Sequence, residues 1–450
     1  MFKHKYIKDN NFILLFFGNL VSGVGSRIWG FGISLFLLDL TGKATVTATY
    51  LSIWSFLLFF LGPIAATFTD RWRKKAKVMY LTDFGRGIIY IAVALVTAFL
   101  LTLANNQTYI LITIYTALVL IAAQTAFFAP AVSALIPQIV DKEELVSASS
   151  IMQITRSLQN IAGLLFGALL YLKFGIVVLM LLNGISFIFS GISEIFIRFK
   201  VAKNQDRLNE IKSVSLMDGA TESKKTIGMV LNNIYADIKD ALSYIFHDSK
   251  PVFMVMMIIL VSSTLSGPWF NIGVPYMIKQ YFTYDGVIEP EYLLALSQLF
   301  ESIGVILVSF VVSAIASKFK IFQLFRIGGL LFVALGLLYY MIIRSFDSRL
   351  ITINMFIILF IGTNFIAGSV NATVNAPLEA SIQKYVDPNK IGKVMMLIDS
   401  FGGILYPITA LFAGFMIDNY SMYYPMFMMI GAMLIITIIA FRSKELKKLV

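Results

Sequence analysis

GPIAATFTDRWRKKAK, Gly62 to Lys77, is an apolar run that ends in one acid followed by a block of bases. Five cations in seven residues (Arg71, Arg73, Lys74, Lys75, Lys77) stand between two long hydrophobic segments. Such a block cannot enter hydrocarbon, and basic loops are retained on the cytoplasmic side of a membrane. This loop therefore sets the expected orientation of the whole chain.

The sequence on either side agrees. At 58% hydrophobic and 14% charged, with a mean hydropathy of +0.82, the chain is far more apolar than a soluble domain, which has roughly 45–50% apolar and about 25% charged residues. Apolar runs long enough to cross a ~30 Å hydrocarbon core recur near 11–40, 45–69, 78–103, 109–135, 146–172, 175–198, 251–281, 291–316, 323–344, 350–378, 391–417 and 421–441. Barrel strands would alternate polar and apolar in ten-residue segments instead. The expected fold is all-α, with twelve transmembrane helices and both termini in the cytoplasm. The net charge of +11 does not read as a nucleic-acid footprint: 28 of 36 Lys and Arg fall in segments assigned to the cytoplasm, and three (Arg27, Arg86, Arg156) fall within spans. Contact of those bases with anionic lipid is expected. The absence of cysteine excludes disulfides and thiol chemistry, and His4 and His247 lie in cytoplasmic segments, so no metal site or cofactor is expected in the membrane. The first apolar run is too long for a signal-peptide core and reads as a retained helix.

The spans fall into two sets of six, 1–198 and 251–450, around a polar stretch at 199–250 whose second part has Ile227, Leu231, Ile234, Ile238, Leu242 and Ile245 at helical spacing. The two sets still resemble one another. LVSGVGSRIW (Leu20 to Trp29) matches LVSSTLSGPW (Leu260 to Trp269) at an offset of 240, and Ala129-Pro130 with Val140-Asp141 is echoed by Ala376-Pro377 with Val386-Asp387. Parallel six-helix repeats are one of the architectures of membrane carriers.

The loop within Gly62 to Lys77 resembles the signature G-x-x-x-D-[RK]-x-G-[RK]-[RK] between the second and third helices of major facilitator superfamily transporters. Asp70, Arg71, Lys74 and Lys75 match it, while Ala66 and Arg73 replace its two glycines. The wider runs LTGKATVTATYLSIWSFLLFFLGPIAATFTDRWRKKAKVMYLTDFGRG, TAFFAPAVSALIPQIVDKEEL and DIKDALSYIF look like the macrolide-efflux and enterobactin-exporter branch. That resemblance covers nearly the whole chain. It implies export of an amphiphilic, drug-like or siderophore-like compound by alternating access, in exchange for protons, by a monomer in a bacterial cytoplasmic membrane. It also implies that Asp70, Arg71, Lys74, Lys75, Asp83 and Arg86 form a charged latch on the cytoplasmic side. The arginine and glycine that drug–proton antiporters carry in span four are Ile121 and Gln124 here, which moves any proton coupling elsewhere. A lipid or lysophospholipid flippase, and a receptor or scaffold that transports nothing, remain alternatives on the same fold.

Charges inside spans are expensive, which makes them candidates for function. Arg27 shares a stripe with Gly23, Gly30 and Ser34, and its repeat position is Gly267, so it reads as a substrate or coupling residue. Glu301, one turn after Gln298, is the acid placed to carry a proton. Trp29 and Trp269 are the aromatic pair supported by the repeat, whereas Phe127, Phe128 and Phe270 are weaker candidates for an apolar wall. Asn364, Gly368, Asn371 and Asn375 share one stripe that lines a cavity or a helix contact. In span five, Gln153, Arg156, Asn160, Gly163 and Gly167 share a face whose polar half includes the gate candidate Arg156 and whose Gly163/Gly167 half reads as a close-packing surface, and Asp399 reads as a gate residue in span eleven. Phosphate loops, zinc spacings and hydrolytic arrangements are not present, so the chain is not read as an enzyme.

Overall fold

A computed structural model describes residues 10–71, 75–104, 106–140, 145–197, 250–282, 288–315, 321–386 and 391–443. The expected 227–245 helix, Lys74, His4 and His247 lie outside the described residues, as do the side chains of Asp70, Arg71, Lys75, Gln153, Asn375 and Asp399.

Among the described residues the secondary structure is helical, without strands. In chain order the elements are α1 (Asn10–Thr41), α2 (Ala44–Arg71), α3 (Lys75–Leu100), α4 (Gln107–Ile139), α5 (Leu145–Ile195), α6 (Lys250–Pro268), a π turn (Trp269–Gly273), α7 (Val274–Phe282), α8 (Pro290–Ile315), α9 (Ile321–Asp347), α10 (Ile353–Tyr385), α11 (Ile391–Asn419) and α12 (Tyr423–Arg442). Eleven stretches among them are long and apolar enough to cross a membrane. The fifth stretch, inside α5, contains two passes. A straight helix of 51 residues would run ~77 Å, more than twice the hydrocarbon thickness, but Gly175 interrupts it with φ 71 and ψ −179, backbone angles that glycine adopts readily. Neighbours along α1 confirm the reversal. Gln159 meets Asn19, Gly167 meets Phe31 and Tyr171 meets Asp39; then Ser186 lies at Gly25, Ser190 at Gly18, and the Ser193 hydroxyl donates to the Leu14 carbonyl. With α6, the π turn and α7 forming one pass, the described residues make twelve passes, the number that the hydropathy predicts.

By internal contacts the chain divides into two compact units, Met1–Arg27 with Phe60–Asn160 and Val177–Ala236, and Ile28–Phe59 with Ile161–Ile176 and Asp237–Val450. In unit 1 the core gathers Phe12, Leu15, Met79, Leu135 and Met152. The backbones of α3 and the second arm of α5 nearly touch there, because a Cβ on Gly184 would lie 3.0 Å from the Gly87 carbonyl and one on Gly87 2.9 Å from that of Gly184. Lipid tails give apolar side chains no reason to leave them, so helices in a bilayer associate through close packing at small residues. Unit 2 uses the same device twice. Gly414 and Ala410 on α11 cross Ala44 and Ala48 on α2, and Gly304 on α8 crosses Gly368 on α10, where a Cβ would stand 1.8 Å from the Glu301 carbonyl oxygen. Large apolar side chains cover the outside, Phe310, Ile358, Phe99 and Ile88 among them. Apolar exposure of that extent suits lipid and not water.

Candidate transport site

In unit 2 the predicted residues gather around Tyr339, which the sequence does not single out. Pro268 cannot donate a backbone hydrogen bond, and the following turn widens to a π turn at Trp269–Gly273, a distortion common at functional sites. The Trp269 indole is buried edge-on to Tyr339 at 6.0 Å, and Gly273 leaves room for its ring. Phe270 and Phe360 also pack edge-on to Tyr339, at 6.3 and 5.9 Å. The Tyr339 hydroxyl donates to Asn364 Oδ1 at 3.0 Å, and Asn364 Nδ2 donates to the Phe360 carbonyl at 2.8 Å. Glu301 is close enough for its charge to act on Tyr339, and its backbone abuts Gly368. Glu301, Trp269 and Asn364 thus share one neighbourhood, and the Asn364–Gly368 part of the stripe makes a helix contact. Gln298 and Asn371 are half-buried on α8 and α10, and Trp29 is buried in α1.

In unit 1, Arg27 and Arg156 are both exposed, and the charge of Arg156 acts on Arg27. Neither forms an ion pair among the described residues. The approach is built by Gly23, one turn before Arg27, where the Gln159 side chain packs so closely that a Cβ would overlap it; Gln159 Nε2 donates to the Asn19 carbonyl at 2.8 Å. Asn160 is exposed beside them and Gly163 is buried, so the predicted face of span five divides into a polar and a packed half. Gln124, in the place of the antiporter glycine, packs over Gly85.

Asp83 and Arg86 are buried in unit 1 and paired with each other. The Arg86 guanidinium lies between the Phe128 and Phe187 rings, 4.3 Å from each centroid. Next to this pair is Glu194, buried on the second arm of α5. The sequence reading did not select it.

A second missed network lies in unit 2. Lys279 on α7 pairs with Asp39 on α1 at 2.7 Å and with Glu291 in the first turn of α8, and the Tyr171 hydroxyl donates to Asp39 at 2.6 Å. Asp39 and Lys279 are 240 positions apart, the offset of the repeat, so the ion pair joins equivalent positions. Nearby, the carboxylate of Asp418 accepts the backbone N–H groups of Ala44 and Thr45 at 2.8 and 2.9 Å. It thereby satisfies donors left open at the start of α2 and places negative charge at the positive end of its dipole.

Apolar helices of membrane-spanning length, folded back on one another with charged and polar side chains held among them, define an integral, multi-pass membrane protein. Residues 15–405 match the Major Facilitator Superfamily, and the chain belongs to that superfamily, whose members are generally carriers and not enzymes. The uncharacterized MFS-type transporter YkuC of Bacillus subtilis (strain 168) is 27% identical over 228 residues, 50% of this chain and 51% of the relative. The match thus spans about half the length of that curated relative. Among solved structures, a bacterial homologue of the iron transporter ferroportin in an inward-facing state superposes with a TM-score of 0.69 at 14% identity, covering 96% of this chain and 98% of that one. A POT family transporter in complex with 5-aminolevulinic acid gives 0.71 at 12% identity over 97% and 96%, and the nucleoside transporter NupG gives 0.68 at 11% over 97% and 100%. At these identities the likeness is one of fold.

Proposed function

We propose that this protein exports an amphiphilic compound carrying an anionic group across a bacterial cytoplasmic membrane, by alternating access and in exchange for protons. The observation that carries the anionic reading is that Arg27 and Arg156 both stand exposed on spans of unit 1 without an ion pair among the described residues. Arginine keeps its charge, so two guanidinium groups in spans call for a counter-charge, and an anionic group of the cargo supplies it through charge-assisted hydrogen bonds. Glu301, packed near the buried Tyr339 of unit 2, is the group that carries the proton in this reading. Export, and a drug-like or siderophore-like cargo, are supported by the sequence resemblance to the macrolide and enterobactin exporters. Asp70, Arg71, Lys74, Lys75 and Asp399 serve as cytoplasmic gate residues in this reading, whereas Asp83 and Arg86, paired with each other inside unit 1, and Arg156, assigned to the anion, leave the expected gate.

The arginine pair also favours a second source of the same chemistry, the phosphate of a lipid. One screen separates the two: melting of the purified protein in a non-ionic detergent with fusidate, enterobactin, erythromycin or lysophosphatidylglycerol. A ligand of the folded state raises the melting temperature with concentration. Stabilisation by fusidate or enterobactin that is lost in Arg27→Ala supports export of an anionic amphiphile, and stabilisation by lysophosphatidylglycerol alone supports the lipid. Stabilisation by erythromycin alone, undiminished in Arg27→Ala, overturns the anionic reading.

A further inference from the structure

The buried charges of unit 1 do not balance. Asp83, Arg86 and Glu194 are 0%, 5% and 1% exposed, and Arg86 keeps its charge in a protein. With both carboxyls ionised, the cluster has a net negative charge away from water. Arg86 already pairs with Asp83, and its guanidinium lies over the Phe128 and Phe187 rings. Phe187 is fixed in turn by stacking on Tyr90 at 5.8 Å.

Hydrogen-bonding capacity points the same way. Both oxygens of Glu194, Asp83 Oδ2 and Ser190 Oγ are buried without a partner of hydrogen-bonding geometry, yet Ser190 lies beside both carboxyls. Three carboxyl oxygens that can only accept face a single hydroxyl donor, and an ionised carboxylate left in that condition is strongly disfavoured. One added proton removes the excess charge and supplies the missing donor, since a protonated carboxyl has an O–H to give to its neighbour. The other neighbours on the described elements, Gly18 of α1 and Phe128 of α4, bring no charge, and Tyr80 and Tyr90 of α3 place their rings on Phe84 and Phe187.

We infer that Asp83 and Glu194 form a proton-binding site in unit 1, holding one proton between them at neutral pH with Arg86 as fixed counter-charge. It is separate from Glu301 in unit 2 and rests on the charge balance of the cluster, not on what the protein carries. The reaction is a reversible transfer of one proton from water to a carboxylate oxygen.

The test uses the full-length Glu301→Gln protein, so that Glu301 does not contribute, and measures the infrared carbonyl stretch of protonated carboxylic acids at neutral pH in H₂O and D₂O. A D₂O-sensitive band is expected, lost on adding either Glu194→Gln or Asp83→Asn, because each leaves a single carboxylate balanced by Arg86. Should Glu194→Gln not fold, Glu194→Asp retains the acid and should move the band. An identical band with and without these substitutions overturns the assignment. So does a band that vanishes when sodium chloride replaces choline chloride, because the site would then take sodium.

Discussion

Removing the charge of Lys279 tests how the far ends of α1, α7 and α8 are held together. The Lys279 side chain is 17% exposed, that of Glu291 4% and that of Asp39 39%, so its two ion pairs should differ in strength. Lys279→Met keeps most of the stem but strands the buried carboxylate of Glu291. Breaking a buried pair from one side costs about 3–5 kcal/mol. Asp39→Asn removes a partner that is more than a third exposed and leaves an acceptor for Tyr171, so its cost is that of a surface pair, about 0–1 kcal/mol. Lys279→Met with Glu291→Gln removes both buried charges and should recover most of the loss, since an uncharged pair escapes the desolvation penalty. Thermal and denaturant unfolding of the purified proteins in one detergent gives the order. If Asp39→Asn costs as much as Lys279→Met, or the double variant is no more stable than Lys279→Met, the buried Glu291 is not what makes the network matter.

Three further outcomes are expected. Gly368→Ala should destabilise by roughly 1–3 kcal/mol, an overpacking cost, because its Cβ meets the Glu301 carbonyl oxygen; Gly362→Ala, with nothing within 4 Å of the added Cβ, should be neutral or slightly stabilising, and equal melting shifts would show that the α8–α10 contact yields freely. Asp70→Asn should weaken the proposed latch by ~1 kcal/mol, the scale of an exposed ion pair, and raise the inward-open population about fivefold. The check is the labelling rate of cysteines introduced on the cytoplasmic side, and an unchanged rate would remove the latch. Reporter fusions at Val450 and within 205–222 should both read cytoplasmic; an external reading at either rejects the proposed orientation.

The passes were legible because membrane thickness dictates the length of an apolar run, and even the turn within α5 falls between the two runs that the sequence separates. Close packing at Gly167 was legible from small residues at helical spacing, whereas the stripe through Gly368 left a cavity and a helix contact open until its backbone was seen against Glu301. The charge networks were not. Glu194 lies at the end of span six beside Arg198 and Lys200, where an acid reads as part of the aqueous boundary; its burial depends on α3 passing nearby. Asp39 and Lys279 occupy equivalent repeat positions, but a comparison that seeks matching residues passes over two that are complementary. Tyr339 is one of 20 tyrosines, and its place among Trp269, Phe360 and Asn364 depends on where α6, α9 and α10 meet. The π turn had one local signal, Pro268, which does not by itself separate a kink from a widened turn.

Proton-driven transport is the central claim, and transport in proteoliposomes under an imposed pH gradient tests it most directly. With the anionic amphiphile that gives the largest thermal shift, the wild-type protein should move substrate against its concentration gradient when the pH gradient is imposed and stop when it is collapsed. Glu301→Gln should still bind that compound but not accumulate it, whereas Arg27→Ala should need more of it or accept a different set of compounds. Wild-type transport that ignores the gradient contradicts proton coupling, and accumulation by Glu301→Gln in response to the gradient removes Glu301 from the mechanism.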